Sequence, residues 1–104
     1  MKHFRVSIAP DAERDIAAEF WYIHRDSPSN AETWMHGIYA AIESLAMMPA
    51  RCGRICEHAE FDVELREMYY KSHRIIFTIV GEEVRVVHVR HGAPRDIQRA
   101  DISD

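Results

Sequence analysis

The stretch "HRIIFTIVGEEVRVVHVR", His73–Arg90, decides the fold. It holds two apolar, β-branched runs, His73–Val80 and Glu83–Arg90, joined by a short turn at Gly81. Glycine can take the positive φ that a tight hairpin turn requires. A third run, Val63–Tyr70, precedes them across Lys71–Ser72, so three consecutive strands are expected. Working upstream, residues 50–62 show no period and read as a loop. Trp34, Ile38, Ala41, Leu45 and Met48 then step by 4, 3, 4 and 3, a helical stripe that Pro49 should end. Ser27 followed by Pro28 resembles an N-cap with proline at the first helical position. Ala12, Ile16, Phe20 and Ile23 repeat at 4, 4 and 3 and predict another helix, from Pro10–Asp11 to about Arg25, with Asp11 as N-cap. "HFRVSI", His3–Ile8, alternates as a first strand.

The order is β-α-α-β-β-β. The expected fold class is α+β: a two-helix hairpin packed on one face of a small twisted antiparallel sheet, with residues 1–104 as one domain and the other sheet face more open. With 47% hydrophobic residues and only four Gly and four Pro, the composition is that of a globular chain. No apolar run approaches the ~20 residues that span a bilayer. The start, "MKHFRVSIAP", lacks a signal-peptide core, so a cytoplasmic protein with no membrane partner is expected. Proteins that grip phosphates usually carry a basic excess, and a net charge of −4 disfavours nonspecific nucleic-acid binding. The two cysteines imply no disulfide framework. In "CGRICEH", Cys52, Cys56 and His58 have no second ligand pair, so neither a metal site nor a cofactor is expected.

Around the first helix, Trp21 falls roughly 140° from Ile16, and Tyr22 lies on the other flank. Either Trp21 packs against the second helix, or the aromatic spread forms an exposed patch that a partner covers. Strand alternation puts Val84, Val86, His88 and Arg90 on one face and Arg85, Val87, Val89 and His91 on the other. "HVRH" should therefore not form one chelate. Arg85 reads as a solvated strand residue and His88 as a partly buried ring. Arg66 either pairs with Glu64 or Glu67 or serves a site. Whether it meets Arg74 depends on the register at Lys71–Ser72.

The succession "IAP.AERDI" (Ile8–Ile16), "SP..A" (Ser27–Ala31), "L..MP...GR" (Leu45–Arg54), "LR" (Leu65–Arg66), "RIIF" (Arg74–Phe77) and "VHVRHGA.RD" (Val87–Asp96) resembles the ParE/RelE superfamily. These are toxins of bacterial toxin–antitoxin, or plasmid stabilisation, modules, and the "SP..A" and "HGA.RD" pieces resemble the ParE branch more closely. The resemblance implies the same helical hairpin on a twisted antiparallel sheet. It implies a cognate antitoxin that covers the helices and sheet, with Phe20, Trp21, Tyr22 and Tyr39 as antitoxin-binding candidates. Operator DNA would be reached only through that antitoxin. ParE-type relatives are gyrase inhibitors, which implies Arg66, Arg90, His91 and Arg95 as the residues that touch DNA gyrase, with no catalytic set.

The alternative is a RelE-like, metal-independent ribonuclease acting on mRNA at the ribosome, with Arg74, His91 and Arg95 as its catalytic set. Such cleavage needs a base for the 2′-hydroxyl, an acid for the leaving oxygen and cations for the developing charge. RelE-type enzymes use Lys, Arg and a late Tyr. Here no Tyr follows Tyr70, and Lys71 is the only lysine after Lys2. His91 would have to act as acid or base. A remnant that retains only antitoxin binding is a third reading. Pro94 interrupts the family's Ala-Arg step and displaces Arg95 from its usual place.

Overall fold

The computed structural model describes residues 3–53 and 64–92. The chain runs β1 (Arg5–Ile8), α1 (Pro10–His24), α2 (Pro28–Glu43), β2 (Arg66–Tyr70), β3 (His73–Val80) and β4 (Glu83–His91). Short 3-10 turns at Ser44–Ala46 and Pro49–Arg51 follow α2. The β-α-α-β-β-β order and the α+β class match the sequence expectation.

Glycine at the first central position lets a two-residue turn close the β3–β4 hairpin: Gly81 has φ +61° and Val80 pairs with Glu83. The β2–β3 turn uses Lys71, at φ 54°, for the same bend, and Tyr70 pairs with His73. β2, β3 and β4 are antiparallel as expected. β1 adds to the far side of β4 in parallel, from Arg5 opposite Glu83 to Ile8 opposite Val86, so the order is β1-β4-β3-β2 and the sheet is mixed. The helices between β1 and β4 supply the long crossover that a parallel pair needs.

The α1 stripe faces inward: Ala12 and Ile16 are buried, and Phe20 and Ile23 pack against the core. Its N-cap is Ala9, with no side-chain bond, and not Asp11 as the sequence suggests. Pro10 takes the first helical position, which moves Asp11 into the first turn, where it pairs with Arg14 and favours the helix dipole. On α2 the Ser27 cap is present, its Oγ accepting from Asn30 N–H at 3.2 Å. α2 buries Ala31, Trp34, Ile38 and Ile42, with Leu45 just beyond. The helix ends at Glu43, before Pro49; Ser44 Oγ donates to the Ala41 carbonyl at 2.6 Å, and the chain tightens into a 3-10 turn.

One glycine of α2 lies tight against β2: a Cβ at Gly37 would lie 1.7 Å from the Tyr70 hydroxyl oxygen, so a side chain there would force the Tyr70 ring to move.

β4 departs from strict alternation. His88 pairs with Ile76 and Val86 with Phe77, which leaves Val87 as an extra residue. Such a bulge reverses the side-chain parity beyond it. Val84, Val86 and Val89 are all buried in one core cluster as a result. The sequence expectation that Val89 shares a face with Arg85 and opposes Val86 is thereby corrected.

Candidate functional site

Register decides which candidate side chains meet. On β3, His73, Ile75 and Phe77 face the helices, so Arg74, Ile76 and Thr78 face the other way. Arg74 is the direct partner of Arg90, which is exposed on that same open face, as is Arg85 opposite Thr78. Arg74 is already engaged: its Nε donates to Glu67 Oε1 at 3.0 Å, and the Tyr69 hydroxyl donates to Glu67 Oε2 at 3.0 Å. Arg66 does not join them. It lies opposite Phe77 and donates to the Cys52 carbonyl at 2.6 Å, with Glu64 3.5 Å away. Of the two acidic neighbours considered for Arg66, Glu64 is the one it pairs with. Burial raises the neighbouring Cys52 thiol pKa, against the opposing pull of Arg51 and Arg66.

His88 and His91 take different partners. His88 Nδ1 lies 3.1 Å from Asp15 Oδ2. The same oxygen accepts from Val89 N–H at 2.9 Å, capping β4 beyond the reach of β1. His91 is the register partner of His73 on the helix-facing side, their rings edge to face at 4.7 Å. Arg95, Pro94, Cys56 and His58 lie outside the described residues. Of the four target-binding candidates, Arg90 and His91 are chain neighbours on opposite faces and Arg66 stands apart.

The helix-facing side holds a cluster that no sequence motif signals. His73 is 5% exposed and its Nδ1 faces Trp34 Nε1–H at 3.4 Å. Its Nε2 finds no aligned hydrogen-bond partner among the described residues, although Glu19 Oε2 stands 3.4 Å away. Burial lowers the His73 pKa below the usual histidine range; Glu19 pulls it back up and His91 pushes it further down. Glu19 and His91 also line an open pocket with Tyr22. These residues come from α1, β3 and β4, too far apart in the chain for any spacing pattern to reveal them.

The aromatic candidates divide by exposure. Trp21 and Tyr22 are 60% and 63% exposed, which fits an exposed aromatic patch more than a ring buried under α2. Phe20 and Tyr39 are half-buried against the core. Phe20 and Trp21 meet edge to face at 4.9 Å, and the Arg25 guanidinium lies 5.7 Å from the Tyr22 ring centre. Burial raises the Tyr39 pKa, and Glu13 adds to the effect.

The family described as "ParE toxin of type II toxin-antitoxin system, parDE" matches residues 6–95. The chain belongs to that family. No curated protein matches it. Among solved structures, a chain from the chromosomal ParDE system of P. aeruginosa superposes with a TM-score of 0.71 at 16% identity, covering 88% of this chain and 98% of that one. A chain from the RelBE2 toxin–antitoxin complex of Mycobacterium tuberculosis gives 0.55 at 19% identity, covering 88% and 93%. At such identities the likeness concerns the fold alone. This ParE-family chain therefore has the two-helix, four-stranded architecture that both kinds of toxin share. Among the described residues, no helix is long and apolar enough to cross a membrane.

Proposed function

We propose that this ParE-family toxin acts in the cytoplasm by binding DNA gyrase and is neutralised by a cognate antitoxin. One observation carries the choice of a protein target over RNA. Arg74, the strand arginine of the ribonuclease set, is bound to Glu67 on the sheet face opposite His91, so these two do not converge on one phosphate. General acid–base cleavage needs its groups within hydrogen-bond reach of the same reacting atoms. The exposed Arg90 remains for target contact, with Arg95 beyond it in the chain. The exposed Trp21 and Tyr22, rooted by half-buried Phe20 and Tyr39, suit an antitoxin segment laid across α1.

Inducing the chain without its antitoxin tests the target. Loss of DNA supercoiling with intact mRNA ends supports gyrase; prompt mRNA cleavage with normal supercoiling overturns it, and so does harmless expression of the folded chain. A short neighbouring reading frame that encodes a DNA-binding protein would supply the antitoxin. Trp21→Ala with Tyr22→Ala should leave stability within about 0.5 kcal/mol. The same double variant should weaken antitoxin binding roughly 30-fold, as loss of an aromatic anchor does. Unchanged affinity by calorimetry would move the antitoxin elsewhere.

A further inference from the structure

We propose that Glu19, His73 and His91 form a binding site for a divalent transition-metal ion of the zinc class. The ligand atoms of the three residues all lie within 4.8 Å of one another. Three separate elements of the core supply them, so the fold assembles the site in advance. Glu19 Oε2 and His73 Nε2 are 3.4 Å apart. That is about the ~3.3 Å edge of a tetrahedron with Zn–N and Zn–O bonds of ~2.0–2.1 Å. His91 is exposed, so a change of rotamer can bring its ring onto the third vertex.

The second, independent observation is His73 itself. Its side chain is 7% exposed, and Nε2 points into the cluster without a hydrogen bond from any described residue. A buried nitrogen left unpaired is costly, and a metal ion supplies the missing partner. Two imidazoles and one carboxylate are the donor set of three-ligand zinc sites that keep an open position. With a single oxygen among the donors, the site discriminates against magnesium and calcium, which require mostly oxygen ligands. The pocket beside Glu19, Tyr22 and His91 gives an entry path.

Metal binding has a stated cost and a built-in reporter. The Trp34 Nε1–H contact to His73 Nδ1 places the proton on Nε2. A metal on Nε2 moves that proton to Nδ1, so the indole N–H must release a bond that is already long at 3.4 Å. Occupancy should therefore perturb the emission of Trp34, whose ring centre is 5.1 Å from that of His73. Metal binding at this cluster does not depend on the gyrase reading, because its test measures metal and not toxicity.

The experiment is a titration of the untagged full chain with Zn2+ by calorimetry, and with Co2+ by visible absorption. One equivalent should bind, and His91→Ala and Glu19→Gln should each weaken it by about 10- to 100-fold or more. A Cys52→Ser, Cys56→Ser double variant should bind as the wild type does. In a Trp21→Phe background, where Trp34 is the sole tryptophan, Zn2+ should change the emission in step with binding. Circular dichroism would confirm that each variant is folded. Absence of binding, binding that survives His91→Ala and Glu19→Gln, or binding lost in the cysteine double variant would each overturn the proposal.

Discussion

On the helix-covered face of the sheet, Ile75, Phe77, Val84, Val86 and Val89 are at most 5% exposed, and His73 is held among them. On the opposite face, one position away along the same strands, stand Arg74, Arg85 and Arg90. The second face is not bare, since Ile76 and Thr78 there are also buried. The difference lies in what each face does with polar groups. Burial on the helix side lowers the His73 pKa, against the opposing pull of Glu19. On the other side Arg74 is held by Glu67, and Arg85 and Arg90 remain exposed. Adjacent residues of a strand thus meet an apolar core on one face and charged, partly solvated surroundings on the other.

The contrast breaks most visibly at Phe77, which is fully buried. Phe77→Ala should cost about 3–5 kcal/mol in chemical denaturation, and Arg85→Ala should stay within about 0.5 kcal/mol. Similar losses at both sites would mean that the faces do not differ as described. Next in size is Gly37→Ala. The helix gains up to about 1 kcal/mol of propensity, but the new methyl collides with Tyr70 and should destabilise the fold by about 1–3 kcal/mol net. A cycle with Tyr70→Ala checks the cause, because the two losses should fail to add. Glu67→Gln on the open face should cost about 1–2 kcal/mol, reduced by partial exposure of the pair. Equal stability of variant and wild type would make the Arg74–Glu67 contact incidental.

The smallest effect is in pH dependence. The folded-state pKa of His73 lies below its unfolded value near 6.5, so the unfolded chain binds the proton more readily. Stability from this group is full above about pH 6.5, is lost as pH falls toward the folded value, and is level below it. The groups facing the ring are Glu19 from α1 and His91 from β4, with the neutral Trp34 from α2. Denaturation midpoints of wild type and His73→Gln, compared across this window, should draw together as pH falls. Parallel curves would remove His73 as the cause.

Much of this fold is legible in the order of its residues. Gly81 marks the hairpin, the 4-4-3 and 4-3-4-3 steps mark the helices, and Ser27–Pro28 marks a helix start. The site is less legible. The "RVVHV" segment reads as unbroken alternation, although its adjacent Val86 and Val87 mark the place where the bulge reverses parity. The exposure of Trp21 stays open on a helical wheel, which gives an angle and not a neighbour. Glu19, His73 and His91 share no motif at all.

The elements, their order, their apolar faces and the family follow from the residues alone, because periodicity, turn chemistry and motif succession act along the chain. Packing in three dimensions settled the rest: the parallel pairing of β1, the separation of Arg66 from Arg74, the capture of Arg74 by Glu67 and the meeting of Glu19 with His73 and His91. Those outcomes depend on register and contact between distant segments, where one extra residue in β4 is enough to send a side chain to the other face.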